Sequence, residues 1–228
     1  MMKNYAFIFA RGGSKGLKNK NIRMFNGKHL ISYSINLAKQ NKNIKKVFVS
    51  SDDKKIIKIS KYYGAETILR PKSLSKDNSS ELKAWKHAIE YLNRKEDSFD
   101  NFICLPCTSP LRKIKDINNA LKTLKRKKDM VVGISKSHKN PRFNMVKKDN
   151  TKINLLMPGK IYSNRQSFED VYNLTTIIYA CHYSLVKKMK KNIWESNIKH
   201  ILIPQHRAID IDNKLDFDIA EYLYKKYI

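Results

Sequence analysis

Short apolar runs and helical stripes of apolar residues alternate along this 228-residue chain. The run from Tyr5 to Ala10 predicts a buried strand, and the stripe from Leu30 to Ala38 predicts the helix that follows it. The other predicted strands are Val47 to Val49, Glu66 to Leu69, Asn101 to Leu105, Met130 to Ile134, Thr175 to Cys181 and His200 to Ile203. The other predicted helices cover Ile56 to Tyr63, Leu82 to Leu92, Asp116 to Lys125, Leu185 to Met189 and Leu215 to Tyr227. This order predicts an α/β fold with a mostly parallel sheet that has helices on both faces.

The helix after the second strand has start and stop signals in the sequence. The residues from Ser50 to Asp53 carry side-chain oxygens that accept hydrogen bonds from the first free amides of a helix. Gly64 suits the left-handed conformation found just past a helix end. The helix is therefore predicted to lie between Asp53 and Gly64.

The alternation of strands and helices stops in the stretch 137–174. This stretch contains Pro141, Gly159 and many polar residues, and it shows no strong helical or strand period. Its Arg165 carries a guanidinium that pairs with a carboxylate or phosphate, although a lone arginine is more often simply exposed. A connection of this length is unusual inside a compact domain. We therefore expect one domain over 1–228 with an inserted arm that serves a binding site or a partner subunit; a surface excursion without function is the alternative.

The composition is strongly basic, with 47 Lys plus Arg against 20 Asp plus Glu and a formal net charge of +27. Such an excess suits nucleic acid, an acidic membrane or an anionic substrate. The lysines are spread over loops and polar helix faces, which favours compositional bias over a nucleic-acid-binding protein. We expect neither a nucleic-acid nor a membrane partner, and the lack of a spanning segment or signal-peptide pattern indicates a cytoplasmic protein. Cys104, Cys107 and Cys181 form no CxxC pair, so free thiols are expected.

A basic, glycine-rich loop follows the first predicted strand. Its glycines, Gly12, Gly13 and Gly16, allow positive φ and a close approach of backbone N–H groups to an anion. Its other polar and basic members are Arg11, Ser14, Lys15, Lys18 and Lys20. Neither GxxxxGK[ST] nor GxGxxG is present, so neither an ATPase nor a dinucleotide-binding protein follows directly. The loop predicts a polyphosphate site at the carboxyl end of the strand, and a basic surface turn is the alternative.

Two aspartates near the C-terminus predict a cation site. Asp210 and Asp212 alternate with apolar residues, which places both carboxylates on one side of an extended segment. Mg²⁺ prefers oxygen ligands and usually keeps waters and substrate phosphates in its shell. The alternative is that Asp212 or Asn213 merely caps the last helix.

Several further motifs occur in a fixed order along the chain. They are ARGGSKG followed by Lys20-Asn21, SSDD after the second strand, LRP at Leu69 to Pro71, TSPLR at Thr108 to Arg112, the pair Arg165-Gln166, and RAIDIDNKLDFDIAE near the end. Together they resemble the acylneuraminate cytidylyltransferases, which are CMP-sialic acid synthetases and their bacterial relatives, from residue 5 to about residue 224. The resemblance implies a Rossmann-like nucleotidyltransferase fold and a homodimer in which the arm reaches the second subunit. It also implies that CTP and a nonulosonic acid give the CMP-sugar and diphosphate, with Mg²⁺ as cofactor.

The resemblance implies roles for single residues as well. The positions that match CTP-binding residues are Arg11, Gly12, Gly13, Ser14, Lys15, Lys20, Asn21, Arg70, Asp77 and Ser80. The positions assigned to the sugar are Thr108, Ser109, Arg112, Arg165, Gln166 and Tyr179. The implied metal ligands are Asp210 and Asp212, and the implied catalytic residues are Arg11, Lys15, Lys20 and Asp210. The cations among them would neutralise the leaving diphosphate.

The chain departs from the family pattern at positions near the sugar. Many sialic acid members read LQPTSPLR, but here Pro106 stands at the glutamine position and Cys107 at the next. Thr175 to Ile177 replace a common Asn-Gly-Ala step, and Asn140 to Met145 resembles relatives that activate modified bacterial sugars. Because losing one polar contact changes the choice between sugars, legionaminate, pseudaminate and keto-deoxy-octulosonate remain alternatives to N-acetylneuraminate.

Overall fold

Strands and helices alternate along the computed structural model, which describes residues 2–76, 79–159 and 169–228. The strands are β1 (Asn4–Phe9), β2 (Met24–Phe25), β3 (Lys28–His29), β4 (Lys46–Ser51), β5 (Glu66–Leu69), β6 (Asn101–Cys104), β7 (Asp129–Lys136), β8 (Val146–Asp149), β9 (Lys152–Leu155), β10 (Tyr172–His182) and β11 (Asn197–Leu202). The α-helices are α1 (Leu30–Gln40), α2 (Lys54–Tyr62), α3 (Glu81–Asn93), α4 (Ile114–Thr123), α5 (Tyr183–Lys188) and α6 (Lys214–Tyr227). Short 3-10 helices lie at Lys20–Ile22, Lys72–Leu74, Ile193–Glu195 and Gln205–Arg207. None of the helices in these ranges is long and apolar enough to span a membrane.

A seven-stranded sheet in the order β11-β7-β10-β6-β1-β4-β5 forms the centre of the protein. β1 runs parallel to both of its neighbours, β4 and β6, and β5 extends this parallel group. β11 is parallel to β7 at the other edge, whereas β10 runs antiparallel to β6 and to β7. The predicted α/β fold with a mostly parallel sheet is therefore confirmed, and β10 is its antiparallel member.

The side chains of β1 show how the sheet separates two cores. Because successive residues of a strand point to opposite faces, Ala6 and Ile8 enter one core and Tyr5 and Phe7 enter the other. The first core is closed by apolar residues of α1, α2 and α4, and the second by residues of α3 and α5. The predicted helices on both faces are confirmed.

A third, smaller core lies beside the sheet and connects the glycine-rich loop to the C-terminal helix. It contains Leu17 of the loop, Ile211 between the two predicted metal ligands, and Phe217 of α6. Phe25 of the β2–β3 hairpin meets Phe217 edge to face, with ring centroids 5.5 Å apart. This core therefore fixes the distance between the loop that follows β1 and the aspartate segment that precedes α6.

The predicted arm contains a two-stranded hairpin formed by β8 and β9, which turns at Asn150 with a φ of 44°. Every residue of both strands is exposed. β10 begins at Tyr172, so the last positions assigned to the arm belong to the central sheet. The exposed apolar residues of the described part of the arm are Phe143, Met145, Val146, Ile153, Leu155, Leu156 and Met157.

Candidate active site

A cavity of about 330 Å³ opens where the carboxyl ends of β1 and β6 meet the N-terminus of α3. This end of the strands is where open α/β sheets bind their ligands. The predicted site residues that line it are Arg11, Ser14, Lys20, Asn21, Arg70, Ser80, Thr108 and Tyr179. The fold thus brings residues from three of the sequence motifs, together with Ser80 and Tyr179, into one cleft.

The glycines of the basic loop are used for close packing. They do not use the positive φ that glycine allows, which in the described chain is found at Gly27 and Gly64 among the glycines. A Cβ atom at Gly12 would lie 2.9 Å from a carboxylate oxygen of Asp53, and one at Gly16 would lie 2.2 Å from the carbonyl oxygen of Asp212. The Gly12 amide donates to Asp52 at 3.2 Å. The glycines therefore let the loop pack against the acidic residues that follow β4 and those that precede α6.

The acidic residues after β4 also form the predicted helix cap. Asp53 accepts a hydrogen bond from the amide of Lys55 at 2.6 Å and caps α2, and Gly64 has a φ of 80° just past the helix end. Both predicted helix signals are confirmed. Asp53 thus starts α2, and its neighbour Asp52 supports the loop after β1.

The side chain of Asn21 anchors the glycine-rich loop through two hydrogen bonds. Its side-chain amide donates to the carbonyl oxygen of Arg11 at 2.8 Å, and the Cys107 thiol donates to the Asn21 side-chain oxygen at the same distance. Burial raises the pKa of the Cys107 thiol to about 12, so this cysteine is neutral near pH 7. All three cysteines are buried and free, as predicted.

Lys20 stands beside both predicted metal ligands. Its ammonium lies 2.9 Å from a carboxylate oxygen of Asp212 and also lowers the pKa of Asp210. Between the two acids, the amide of Ile211 donates to the carbonyl oxygen of Thr108 at 2.9 Å. The aspartates are not among the residues that line the cavity, but Lys20 and Thr108 are. Both acids are therefore next to residues that line the cavity, with Asp210 largely buried and the Asp212 side chain 75% exposed.

Asp210 has the chemistry of a cation ligand. Its Oδ1 atom is buried and makes no hydrogen bond. Burial is the main cause that raises the pKa of its carboxyl; Asp212 raises it further, and the hydroxyls of Thr108 and Thr176 lower it. Among the described residues no three His, Cys, Asp or Glu side chains form a metal cluster. The pair fits a cation such as Mg²⁺, which takes its remaining ligands from water and phosphate.

The alternative role proposed for the aspartate segment, capping of the last helix, is performed by Asn213. Asn213 caps α6 by accepting a hydrogen bond from the amide of Asp216 at 3.0 Å, and the Asp216 carboxylate accepts from the amide of Asn213 at the same distance. The Asp212 side chain is not the cap. The helix start therefore leaves both Asp210 and Asp212 available for another role.

A buried ion pair holds the aspartate segment against α4. Arg207 donates to both carboxylate oxygens of Asp116, one of them at 3.0 Å, and each side chain is at most 3% exposed. Arg207 also donates to the carbonyl oxygen of Leu111 at 3.4 Å. Arg207 belongs to the motif RAIDIDNKLDFDIAE, but nothing in its sequence context predicted this ion pair.

Two predicted sugar ligands brace the loop instead of lining the cavity. The hydroxyl of Ser109 lies 2.6 Å from that of Thr176. Arg112 is 3% exposed and donates to the Ser34 hydroxyl at 2.9 Å, to the carbonyl oxygen of Pro106 at 2.7 Å, and to the carbonyl oxygen of residue 177. Their hydrogen bonds anchor the TSPLR segment to α1, to β10 and to the backbone at Pro106. Thr108 and Tyr179 do line it.

The remaining predicted residues lie elsewhere. Lys15 and Gly13 are exposed on the loop and are not among the lining residues. Asp77, Arg165 and Gln166 fall outside the described residues.

Sequence reasoning missed several residues of the cavity wall, of which Glu81 is the acidic one. Glu81 is the first residue of α3 and follows its N-cap, Ser80. Near it, Arg70 donates to the Ser75 hydroxyl at 3.0 Å, and burial lowers the pKa of that arginine. A glutamate after a serine is typical of any helix start, so the sequence carried no sign that this one faces a cavity. The other missed lining residues are Phe9, Leu74, Ser75, Lys76 and Ala84, whereas Pro106, Cys107 and Thr176 were expected near the sugar.

Comparison with known proteins identifies the family. The family model described as cytidylyltransferase matches residues 5–216. The chain belongs to the cytidylyltransferase family. This cytidylyltransferase is 32% identical over 225 residues to post-translational flagellin modification protein B of Campylobacter coli, with 96% of this chain and 94% of the relative covered. It is also 32% identical over 222 residues to a CMP-N,N'-diacetyllegionaminic acid synthase of Campylobacter jejuni, with 95% and 92% covered.

A solved structure gives the same answer for the fold. The CMP:2-keto-3-deoxy-manno-octonic acid synthetase complexed with CTP superposes with a TM-score of 0.72 at 16% identity, covering 99% of this chain and 100% of that one. The nucleotidyltransferase fold and the resemblance stated from the motifs are both confirmed. The cytidylyltransferase is therefore a nucleotidyl-transferring enzyme.

Proposed function

We propose that this cytidylyltransferase transfers CMP from CTP to the anomeric hydroxyl of a nonulosonic acid and releases diphosphate. The observation that carries the proposal is the convergence of Arg11, Lys20 and Arg70 on one cavity, in a chain whose family match spans residues 5–216. Such a cluster of cations suits a triphosphate. The relatives support the acceptor, because one of them is named for the synthesis of a CMP-linked legionaminic acid.

The chemistry requires positioning and charge neutralisation more than covalent catalysis. The anomeric oxygen forms a bond to the α-phosphorus while the bond from that phosphorus to the diphosphate oxygen breaks, in line with the attack. The proton of the anomeric hydroxyl passes to water. Arg11 and Lys20 line the cavity and would neutralise the diphosphate as its charge develops. Lys15 is proposed to act in the same way from the exposed part of the loop.

Asp210 and Asp212 are proposed to hold Mg²⁺. The partnerless buried oxygen of Asp210 and the nearby carboxylate of Asp212 supply the oxygen donors that this ion prefers. When bound, the ion would polarise the α-phosphoryl oxygen and lower the pKa of the attacking hydroxyl. The salt bridge from Lys20 restrains Asp212, and the amide of Ile211 anchors the segment to Thr108.

The structure around Pro106 favours a modified bacterial sugar acid over N-acetylneuraminate. Pro106 lines the cavity without a side-chain amide. Its carbonyl oxygen already accepts hydrogen bonds from Ser34 at 3.2 Å and from Arg112 at 2.7 Å. The amide contact offered by glutamine in many sialic acid members is therefore not replaced by the backbone at this position. Legionaminate-type acids are the preferred candidates, in agreement with the named relative.

We also propose that the protein is a homodimer and acts in the cytoplasm. A two-stranded hairpin is marginal in water by itself, and the β8–β9 hairpin has no buried residue in either strand. Packing against a second copy would cover its apolar side chains.

The test is diphosphate release from CTP, with UTP and ATP as controls and with or without Mg²⁺. The sugar panel contains N-acetylneuraminate, legionaminate, pseudaminate and keto-deoxy-octulosonate. We expect release that requires CTP, Mg²⁺ and one nonulosonate, with legionaminate ahead of N-acetylneuraminate. Release without added metal would contradict the magnesium assignment, and silence from folded protein across the panel would contradict the proposed acceptor class.

A further inference from the structure

Glu81 is the one acidic side chain among the described residues that line the cavity. The charged residues that share the wall with it are all basic: Arg11, Lys20, Arg70 and Lys76. Both substrates of the proposed reaction are anions, and a carboxylate close to an anion is unfavourable. A carboxylate on this wall therefore needs a specific partner to be useful to the enzyme.

Within the described residues Glu81 has few hydrogen-bond partners, although the nearby charge of Arg70 lowers the pKa of its carboxyl. The one hydrogen bond that the described residues offer is from the Cys104 thiol, at a long 4.0 Å. The indole N–H of Trp85, one helical turn further along α3, lowers the pKa of the Glu81 carboxyl, but it is itself buried without a hydrogen-bond partner of good geometry. Crowding by protein atoms desolvates the carboxyl and is the main cause that raises its pKa. Glu81 lines the cavity and is exposed there, so its carboxylate has acceptor capacity left for a bound molecule.

Glu81 also stands where two cavities meet. A second cavity, of about 200 Å³, shares Ser80, Glu81 and Tyr179 with the first one. Its remaining lining is more apolar and consists of Leu82, Trp85, Lys191, Asn192 and Ile193. A substrate group at this junction meets one strong acceptor on an otherwise cationic and apolar surface.

We propose that Glu81 is a specificity-determining residue that accepts hydrogen bonds from hydroxyl or amide N–H groups of the bound substrate. The inference rests on the proposed function, because it assumes CTP and a sugar acid as ligands. An ionised carboxylate is an acceptor only, so it binds donors and repels anions and bare acceptors. Two sources can supply such donors in this cavity: the ribose of CTP and the hydroxyl or acylamino groups of the sugar acid.

The test compares wild type, Glu81→Gln and Glu81→Ala in steady-state diphosphate release. Glu90→Gln is the matched control, because Glu90 is an exposed glutamate on the same helix, away from the cavity. KM is measured for CTP, for 2'-deoxy-CTP and for the sugar acid. A hydrogen bond to a charged group corresponds to about a tenfold to hundredfold change in affinity, so KM for one substrate should rise by about that factor in Glu81→Ala.

The substrate whose KM rises identifies which molecule supplies the hydrogen-bond donors to Glu81. If the ribose supplies the donors, KM for CTP rises and the preference for CTP over 2'-deoxy-CTP disappears in the variant. If the sugar acid supplies them, its KM rises and that of CTP does not. Unchanged KM values in Glu81→Gln and Glu81→Ala overturn the proposal, and so does a variant that loses only thermal stability and kcat.

The proposed function and the role of Glu81 can fail separately. Wild-type protein that is silent across the sugar panel counts against the proposed function. In that case calorimetric titrations with CTP and with each sugar acid of the panel compare wild type with Glu81→Gln. A weakened affinity for CTP supports Glu81 as a ribose acceptor, a weakened affinity for a sugar acid supports it as a sugar acceptor, and unchanged affinities for all of them overturn the inference. Thermal melting of each variant is recorded first, and where Glu81→Ala melts early the conclusion is drawn from the isosteric Glu81→Gln.

Discussion

Asp210 joins two properties that a cation-binding carboxylate needs: a buried oxygen without a protein partner and a second acid close by. We predict that Asp210→Asn lowers kcat for diphosphate release by on the order of a hundredfold, the scale seen when a key electrostatic group is removed. Asp218→Asn is the matched control, since Asp218 is an exposed aspartate of α6 that pairs with Lys214. Activity near that of wild type in Asp210→Asn would discard the metal assignment.

The raised pKa of the Asp210 carboxyl predicts an effect on the pH dependence of kcat/KM. Burial raises the pKa of Asp210, and the Thr108 hydroxyl counteracts this by lowering it. Removing that hydroxyl in Thr108→Val should raise the pKa further, so the carboxylate is protonated at a higher pH. The acidic limb of the kcat/KM profile should then move to higher pH than in wild type. An unshifted limb would contradict the prediction, even if KM for the sugar changes.

The loop after β1 and the segment before α6 are matched in shape at Gly16. A Cβ atom there would lie 2.2 Å from the backbone carbonyl oxygen of Asp212, whereas a Cβ atom at Gly13 would have no atom within 4 Å. We predict that Gly16→Ala destabilises the protein by about 1–3 kcal/mol, because a backbone neighbour cannot rotate away. Gly13→Ala should stay within about 0.5 kcal/mol of wild type. Thermal denaturation of both variants measures the difference. Equal melting temperatures of Gly16→Ala and Gly13→Ala would refute the tight contact at Gly16.

Local signals explain which elements were predictable and which were not. Asp53 and Gly64 mark the ends of α2 because a side-chain acceptor and a left-handed glycine satisfy the groups that a helix leaves open. The β8–β9 hairpin was missed because its exposed strands lack the alternation that burial of one face imposes. Arg112 was assigned to the sugar because its motif does not reveal whether the side chain is buried. Only the packed fold shows that it donates to the backbone.

The alternation of strands and helices along the sequence predicted the overall fold, but it did not predict which side chains line the cavity. Alternating strands and helices predict a parallel sheet, and the carboxyl ends of parallel strands predict where a ligand binds. Which side chains reach that place depends on contacts distant in sequence, such as the pair of Lys20 with Asp212. Glu81 shows the limit most clearly, because its sequence context is that of an ordinary helix start.

The exposed apolar side chains of the arm predict that it forms part of a dimer interface. Leu156 is 45% exposed beside the hairpin, among the apolar side chains that we propose a second copy covers. Leu156→Asp would place a charge in that interface and should convert a dimer to a monomer, because an unpaired charge is costly to bury. Sedimentation equilibrium measures the change, and Tyr62→Asp is the control, since Tyr62 is 83% exposed on α2 at the other end of the sheet order. A wild-type monomer, or a Leu156→Asp dimer as stable as that of Tyr62→Asp, would show that the arm does not hold two copies together.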